Sequence, residues 1–298
     1  MYTRMLIPLD GSKVAEQVLP YARYLARKLS IPVELLQAAD PEALALLTDP
    51  QHSRYADTVW ADKINTGRIY LDAVARSFEG ARVQCAVEKG KAEDVVMDKA
   101  AVDRNTLIVM ATHGRSGIQR WLLGSVADKV LHGSSNHMFL VRASEKGKTE
   151  GEAVLKTAVV PLDGSALAEQ ALPYIEDLAK RMALKLVLLR AYALPPSVSG
   201  DEYGTYMEEI MNQMESEARD YLTTKVNEAK RKGLSEVASV VKFGYGADEI
   251  IALARDTADN FVAMCTHGRS GVKRFALGSV TDRVVRHSGD PVLIIRAD

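Results

Sequence analysis

MATHGRSGIQRWLLGSV occupies Met110–Val126, and MCTHGRSGVKRFALGSV occupies Met264–Val280, 154 residues further on. Each stretch follows the pentapeptide PLDGS in its own half of the chain, at Pro8–Ser12 and at Pro161–Ser165, an offset of 153 residues. Two motifs repeated in the same order at almost constant offset indicate a tandem duplication of a whole domain. The repeated unit is too long for a solenoid, whose repeats are about 20–50 residues long.

The length of 298 residues suits two domains of about 150 residues each. Between the two copies lies the stretch SEKGKTEGE at Ser144–Glu152, which is polar, charged and rich in glycine. Such a composition is typical of a linker. The sequence therefore predicts a first domain over residues 1–143, a linker over 144–154 and a second domain over 155–298.

Short apolar runs alternate with helical patterns inside each half. The runs of the first half are Met5–Leu9, Val33–Ala38, Arg82–Val87, Leu107–Ala111 and Met138–Arg142. They mostly lack polar alternation, as expected of strands buried on both faces of a parallel sheet. The pattern predicts an α/β fold, with two tandem doubly wound domains that each contain a five-stranded parallel sheet flanked by helices.

The first predicted helix has an apolar residue at every third or fourth position from Val14 to Leu29. Ser12 is expected to cap it. Pro20 and, in the second half, Pro173 are expected to kink their helices. Longer helices are predicted over residues 54–78 and 201–232, and Ser125 is predicted to cap the helix that follows the long glycine motif.

The composition bounds the class of protein. Lys and Arg number 38 against 39 Asp and Glu, so no net positive charge favours nucleic acid or an anionic membrane. The two cysteines, Cys85 and Cys265, form no disulfide framework, which favours a reducing compartment. No signal peptide is recognised, and no apolar run reaches the roughly 18 residues that a membrane span needs. The chain is predicted to be cytoplasmic.

The glycine motif begins where a strand ends, which is where open parallel sheets bind ligands. Gly124 and Ser125 then introduce a helix, whose first N–H groups and dipole favour an anion. The motif is neither a Walker loop nor a dinucleotide fingerprint. From the residues alone, two readings stay open: a phosphate site in which Arg115 or Arg120 adds charge, or glycines that only form tight turns.

PLDGS after the first strand, together with T-H-G-x9-G-S after the fourth, resembles the universal stress protein family once per half. The resemblance covers nearly the whole chain and implies an adenine nucleotide alpha hydrolase-like fold. It implies an ATP site with Mg²⁺ or Mn²⁺ on the phosphates. It also implies pairing of the two domains through their final strands, and a homodimer is a further expectation. No nucleic acid or membrane partner is expected.

The resemblance implies roles for individual residues. Asp10 and Asp163 correspond to the family aspartate near the ribose and phosphates, and Ala38 and Ala191 to the position whose backbone contacts adenine. The candidate binding residues of the first half are Leu9, Asp10, Ala38, Ala111, His113, Gly114, Arg115, Gly124, Ser125 and Val126. Those of the second half are Leu162, Asp163, Ala191, Cys265, His267, Gly268, Arg269, Gly278, Ser279 and Val280.

Both halves depart from the family pattern G-x2-G-x9-G-[ST] at its first glycine, which is Ala111 in one half and Cys265 in the other. The cysteine is expected to narrow the second pocket. His113 and His267 are interpreted as hydrogen-bonding residues rather than metal ligands or catalysts. The favoured function is an ATP-binding stress-response regulator or interaction module, in which binding is favoured over catalysis and weak ATP hydrolysis stays open. The alternatives are a scaffold or chaperone-like protein without nucleotide, and a slow ATPase.

Overall fold

The computed structural model describes residues 1–40, 56–113, 123–144, 147–194, 204–266 and 277–297. The chain divides into two compact units, Met1–Val154 and Leu155–Asp298. Residues 147–154 belong to the first unit, where they pack on its first long helix. That residues 144–154 act as a linker stays a prediction.

Five parallel strands are present among the described residues of each unit. The strands of the first unit are β1 (Arg4–Pro8), β2 (Val33–Ala39), β3 (Val83–Lys89), β4 (Thr106–Ala111) and β5 (Met138–Val141). Those of the second unit are β6 (Thr157–Pro161), β7 (Lys185–Tyr192), β8 (Val237–Phe243), β9 (Asn260–Cys265) and β10 (Val292–Ile295). The strand order is β3-β2-β1-β4-β5 in the first unit and β8-β7-β6-β9-β10 in the second. The predicted α/β fold with five-stranded parallel sheets is confirmed.

Helices connect the strands in both units. The described helices of the first unit are α1 (Leu19–Leu29), α2 (Ala56–Ala75), α3 (Ala92–Ala101) and α4 (Ser125–Gly133). Those of the second unit are α5 (Ala166–Glu169), α6 (Leu172–Met182), α7 (Gly204–Arg231), α8 (Gly246–Asp256) and α9 (Ser279–His287). Among the described residues, no helix is both long enough and apolar enough to cross a bilayer.

The central strands form the core, as their unbroken apolar runs predict. Every residue of β4 and of β9 is buried, and the β1 residues Met5, Leu6 and Ile7 are fully buried. The edge strands β3 and β8 are only partly covered. The sheet winds outward in both directions from β1 and β4, so the carboxyl ends of these two strands border the crevice in which doubly wound folds bind ligands.

The region after β1 differs from its prediction. A short 3-10 helix (Ala15–Val18) comes first, and α1 begins only at Leu19. Pro20 is thus the second residue of α1, where the N–H that it lacks would have no helical partner, and the predicted kink is wrong. Pro173 occupies the same place in α6. The Ser12 hydroxyl accepts a hydrogen bond from the Ala15 N–H at 3.1 Å, just ahead of the 3-10 helix. The N-cap of α1 is Val18, so the prediction that Ser12 caps this helix is wrong.

Candidate functional site

A cavity of about 260 Å³ opens at the carboxyl end of the first sheet and is called the first cavity. Eight predicted binding residues line it: Leu9, Asp10, Ala38, Ala111, His113, Gly124, Ser125 and Val126. Gly114 and Arg115 lie outside the described residues. Residues from β1, β2, β4 and α4, far apart in the sequence, thus meet at one place.

The second unit contains a cavity of about 300 Å³ at the equivalent place, called the second cavity. Seven predicted residues line it: Leu162, Asp163, Ala191, Cys265, Gly278, Ser279 and Val280. His267, Gly268 and Arg269 lie outside the described part of the chain. The two units therefore place corresponding residues around corresponding cavities.

The aspartate of each PLDGS motif is held by the turn that follows it. Asp10 Oδ1 accepts hydrogen bonds from the Ser12 N–H at 2.9 Å and the Ser12 hydroxyl at 2.7 Å. Asp163 accepts the same two bonds from Ser165, at 2.9 and 2.6 Å. The intervening glycines have φ of 82° and 86°, a region that favours glycine. The turn fixes each carboxylate at the cavity wall.

The backbone of Ala38 supplies a donor and an acceptor. The carbonyl of Leu36 accepts from the Leu9 N–H on the β1 side at 2.8 Å, whereas the carbonyl of Ala39 accepts from the Gly90 N–H on the β3 side at 3.0 Å. Because backbone groups alternate along a strand, the N–H and C=O of Ala38 are directed toward β1. Since β1 ends at Pro8, these groups face the space beyond it, where the cavity lies.

The second unit repeats this alternation. Leu189 accepts from the Leu162 N–H and Tyr192 accepts from the Gly244 N–H, each at 2.8 Å. The backbone of Ala191 is therefore directed toward the space beyond the end of β6. In each unit, a planar ligand could meet a peptide donor and a peptide acceptor on the same side.

The helix that borders each cavity is capped by a glycine rather than by a serine. Gly124 is the N-cap of α4 and Gly278 that of α9, so the prediction that Ser125 caps its helix is wrong. The Gly124 N–H donates to the Thr112 carbonyl at 2.8 Å. A Cβ at Gly124 would lie 2.9 Å from that oxygen, too close for any other residue without a shift. Ser125 begins α4, at the positive end of its dipole.

His113 is buried and belongs to a local hydrogen-bond network. Its Nδ1 lies 3.0 Å from the Thr112 hydroxyl oxygen, which also accepts from the Ala143 N–H at 3.3 Å. Within the described ranges, no three His, Cys, Asp or Glu side chains are grouped closely enough to hold a metal ion. These contacts agree with the interpretation of His113 as a hydrogen-bonding residue.

Cys265 lines the second cavity, and its thiol lies 3.7 Å from the Ala168 carbonyl. That the cysteine narrows this pocket stays a prediction. Burial raises the pKa of the Cys265 thiol to about 12. The Thr281 hydroxyl donates to the Cys265 carbonyl at 3.0 Å and joins β9 to α9.

One helix that lines each cavity was not predicted to do so from the sequence. Ala92 and Val96 of α3 line the first cavity, and Gly246 and Ile250 of α8 line the second. The two residues of each pair are four positions apart in the sequence, so both lie on one face of their helix. This spacing at the start of α3 and of α8 was the signal that the sequence offered for these cavity residues. Any buried helix shows the same spacing, so the signal is not specific.

Comparison with known proteins identifies the family. A family model described as "Universal stress protein family" matches residues 1–142 and again residues 155–296. The chain belongs to the universal stress protein family. It contains two universal stress protein domains in tandem, as the resemblance implied.

Several known universal stress proteins are similar to this chain. One from Mycolicibacterium smegmatis is 22% identical over 304 residues, covering 98% of this chain and 96% of that protein. The crystal structure of one from Archaeoglobus fulgidus has a TM-score of 0.70 at 20% identity and covers 99% of both chains. A universal stress protein solved in complex with cAMP is 24% identical, has a TM-score of 0.35 and covers 49% of this chain and all of that one. The full-length likeness supports the two-domain fold.

Proposed function

We propose that each universal stress protein domain binds ATP in its cavity, and that the chain acts as a nucleotide-dependent regulator or interaction module. The observation that carries the proposal is the meeting of three chemically different groups in one cavity, twice over. These groups are a fixed carboxylate, a peptide donor–acceptor pair and the N-terminus of a nine-residue helix.

Each group matches one part of the nucleotide. The N–H and C=O of Ala38 or Ala191 suit the N1 acceptor and amino donor of adenine. Asp10 or Asp163 suits a ribose hydroxyl donor. The N-termini of α4 and α9, with Ser125 and Ser279 in their first turns, suit the phosphates. The cavities, of about 260 and 300 Å³, lie just below and at the lower limit of the usual range for ligand pockets.

The described residues also suit a divalent ion that arrives with the nucleotide. Mg²⁺ is commonly held by phosphate oxygens, waters and only one or two carboxylates. Asp10 in the first cavity and Asp163 in the second would each supply one carboxylate, and the ion would offset charge on the phosphates. Pairing of the domains, a homodimer and a cytoplasmic location stay predictions of the sequence.

The first experiment is to denature the purified protein with magnesium present and to quantify the adenine nucleotide released per chain. Two nucleotides are expected. Gly124→Val and Gly278→Val should each remove one, because a side chain at Gly124 cannot fit against the Thr112 carbonyl and Gly278 makes the equivalent hydrogen bond. Gly289→Ala is the matched control, since a Cβ there meets nothing within 4 Å.

The outcomes separate the candidate functions. Absence of nucleotide, with none taken up when MgATP is added, would contradict the proposal and favour the scaffold. Phosphate release that requires both Asp10 and Asp163, measured with the Asp10→Ala and Asp163→Ala variants, would favour the slow ATPase.

A further inference from the structure

The turns that carry Asp10 and Asp163 differ in the side chain that lies behind them, on the face of the sheet away from the cavity. Leu189 and Ala191 of β7 line the second cavity, so Arg190 between them projects to the opposite face. Its equivalent in the first domain is Gln37, because Pro8 pairs in register with Leu36 and Pro161 pairs with Leu189. A charged, planar side chain in one domain thus corresponds to a neutral amide in the other.

The Arg190 guanidinium lies against the turn that carries Asp163. Its terminal nitrogens and Cζ are 3.4–3.5 Å from the position that a Cβ on Gly164 would occupy. Gly164 is the middle residue of the Asp163–Ser165 turn, at φ of 86°. The guanidinium therefore covers the backbone of this turn from behind, while the Asp163 side chain lines the cavity in front.

The same guanidinium stacks on an aromatic ring that is itself fixed. Arg190 Cζ lies 4.8 Å from the centroid of the Tyr221 ring on α7, within the range of a cation–π contact. The Tyr221 hydroxyl donates to Glu169 at 2.8 Å, and Lys225 donates to the other oxygen of the same carboxylate at 2.8 Å. Tyr221 therefore cannot move away from Arg190 without breaking this bond.

These contacts form a closed circuit. Ser165 caps α5, whose last residue is Glu169. Glu169 holds Tyr221, Tyr221 holds Arg190, and Arg190 covers the turn from which α5 begins. Each member restrains the next, and the turn at the cavity wall is restrained from both sides.

The described residues of the first domain do not repeat this circuit. Gln37 is buried, and within the described residues its Oε1 has no hydrogen-bond partner. Glu16, the equivalent of Glu169, pairs with its neighbour Lys13 at 2.7 Å instead of with the long helix. The Asp10 turn has its own internal hydrogen bonds, and Gln37 offers it no charge equivalent to the Arg190 guanidinium.

We propose that Arg190 is a positioning residue of the second nucleotide site, which holds the Asp163 turn in its ligand-binding conformation and makes this site inequivalent to the first. The inference rests on the proposed function. A turn that is already ordered in the free protein loses less conformational entropy when nucleotide binds. The entropic cost of binding at the second site is therefore lower.

The test uses the full chain with Gly124→Val, which leaves only the second site. Arg190→Gln, which copies the first domain, should weaken MgATP binding by roughly tenfold in calorimetric titration. It should also speed hydrogen exchange at the Ser165 amide, which donates to Asp163. Arg190→Lys should restore little, because an ammonium cannot lie flat between a ring and a backbone turn.

The matched control carries Arg190→Gln on the Gly278→Val background, where only the first site is left and its affinity should not change. Unchanged exchange at Ser165 would overturn the positioning role, whatever the affinity. Unchanged second-site affinity in a protein that binds two nucleotides would overturn the inference and leave the proposed function intact. Failure of the parent chain to bind any adenine nucleotide would instead contradict the proposed function.

Discussion

Single atoms determine the geometry of the candidate sites. Serine is a favoured helix cap, and sequence reasoning accordingly assigned the cap of α4 to Ser125. In the structure, Gly124 takes the cap because its N–H must reach the Thr112 carbonyl at a distance that excludes a Cβ. Ser125 instead occupies the first turn of α4 and lines the first cavity. Close approach of two backbone segments, which has no sequence signature of its own, decided this detail.

The cysteine in the second cavity should be chemically inert in the native protein. Burial raises the pKa of Cys265 to about 12, so little thiolate exists at pH 8. In a Cys85→Ser variant, iodoacetamide should modify Cys265 on the order of a thousandfold more slowly than free cysteine. The rate should rise in proportion to hydroxide between pH 7 and 9, because the thiolate fraction grows tenfold per pH unit below the pKa.

The measurement is mass spectrometry of the labelled protein over time, and a Cys265→Ala chain gives the background. Urea-unfolded protein should react at the rate of free cysteine. Rapid labelling of the native chain would show that the thiol is not held against the Ala168 carbonyl.

Some hydrogen bonds that hold secondary-structure elements together come from residues that the apolar periodicity of the sequence does not identify. Arg23 on α1 is buried and donates to the carbonyls of Thr149 and Gly151, each at 2.8 Å, and to the Ser77 hydroxyl at 3.1 Å. It thereby fastens residues 149–151 onto α1 and the end of α2. In the second domain, the equivalent residue Glu176 accepts from Lys232 instead.

Removing this anchor should destabilise the first domain. Arg23→Ala removes a buried guanidinium together with its three hydrogen bonds, and the free energy of unfolding should fall by about 1–3 kcal/mol. Arg27→Ala is the matched control. Arg27 pairs with Glu152, but its side chain is 59% exposed, so the loss should be below about 1 kcal/mol.

Urea titration measures both variants, and limited proteolysis reports on residues 147–153. Cleavage in this segment should be faster for Arg23→Ala than for Arg27→Ala. Equal effects of the two substitutions would mean that the buried guanidinium contributes no more than the exposed one.

A secondary-structure element could be predicted where its burial leaves a pattern in the sequence, and could not where tertiary packing alone determines it. Strands such as β4 and β9 were predictable because burial on both faces leaves an unbroken apolar run. The start of α1 was not, since Pro20 suits the first turn of a helix as well as it disfavours the middle. The contributions of α3 and α8 to the cavities were also missed. Ala92 and Gly246 reach the cavities only through the tertiary fold, and no sequence pattern marks them.

The whole molecule should respond to nucleotide as two separately liganded domains. At a free MgATP concentration a hundred times Kd, a domain that binds only when folded gains about 2.7 kcal/mol of stability. For domains of this size, the midpoint of thermal unfolding should rise by roughly 5–10 °C. Gly124→Val should abolish the rise for the first domain alone, and Gly278→Val for the second alone.

Differential scanning calorimetry with and without MgATP provides the measurement, with Gly289→Ala as the control that keeps both shifts. If a chain carrying both Gly124→Val and Gly278→Val retained the full shift, nucleotide would have to bind outside the two cavities.

The fusion of two copies has a consequence for inheritance. In an assembly of two identical single-domain chains, every mutation appears in both sites at once, and a substitution that improves one must be tolerated by the other. Here each copy is encoded separately, so selection can act on Arg190 without touching Gln37. Translation of one message then delivers the two diverged sites in a fixed ratio of one to one.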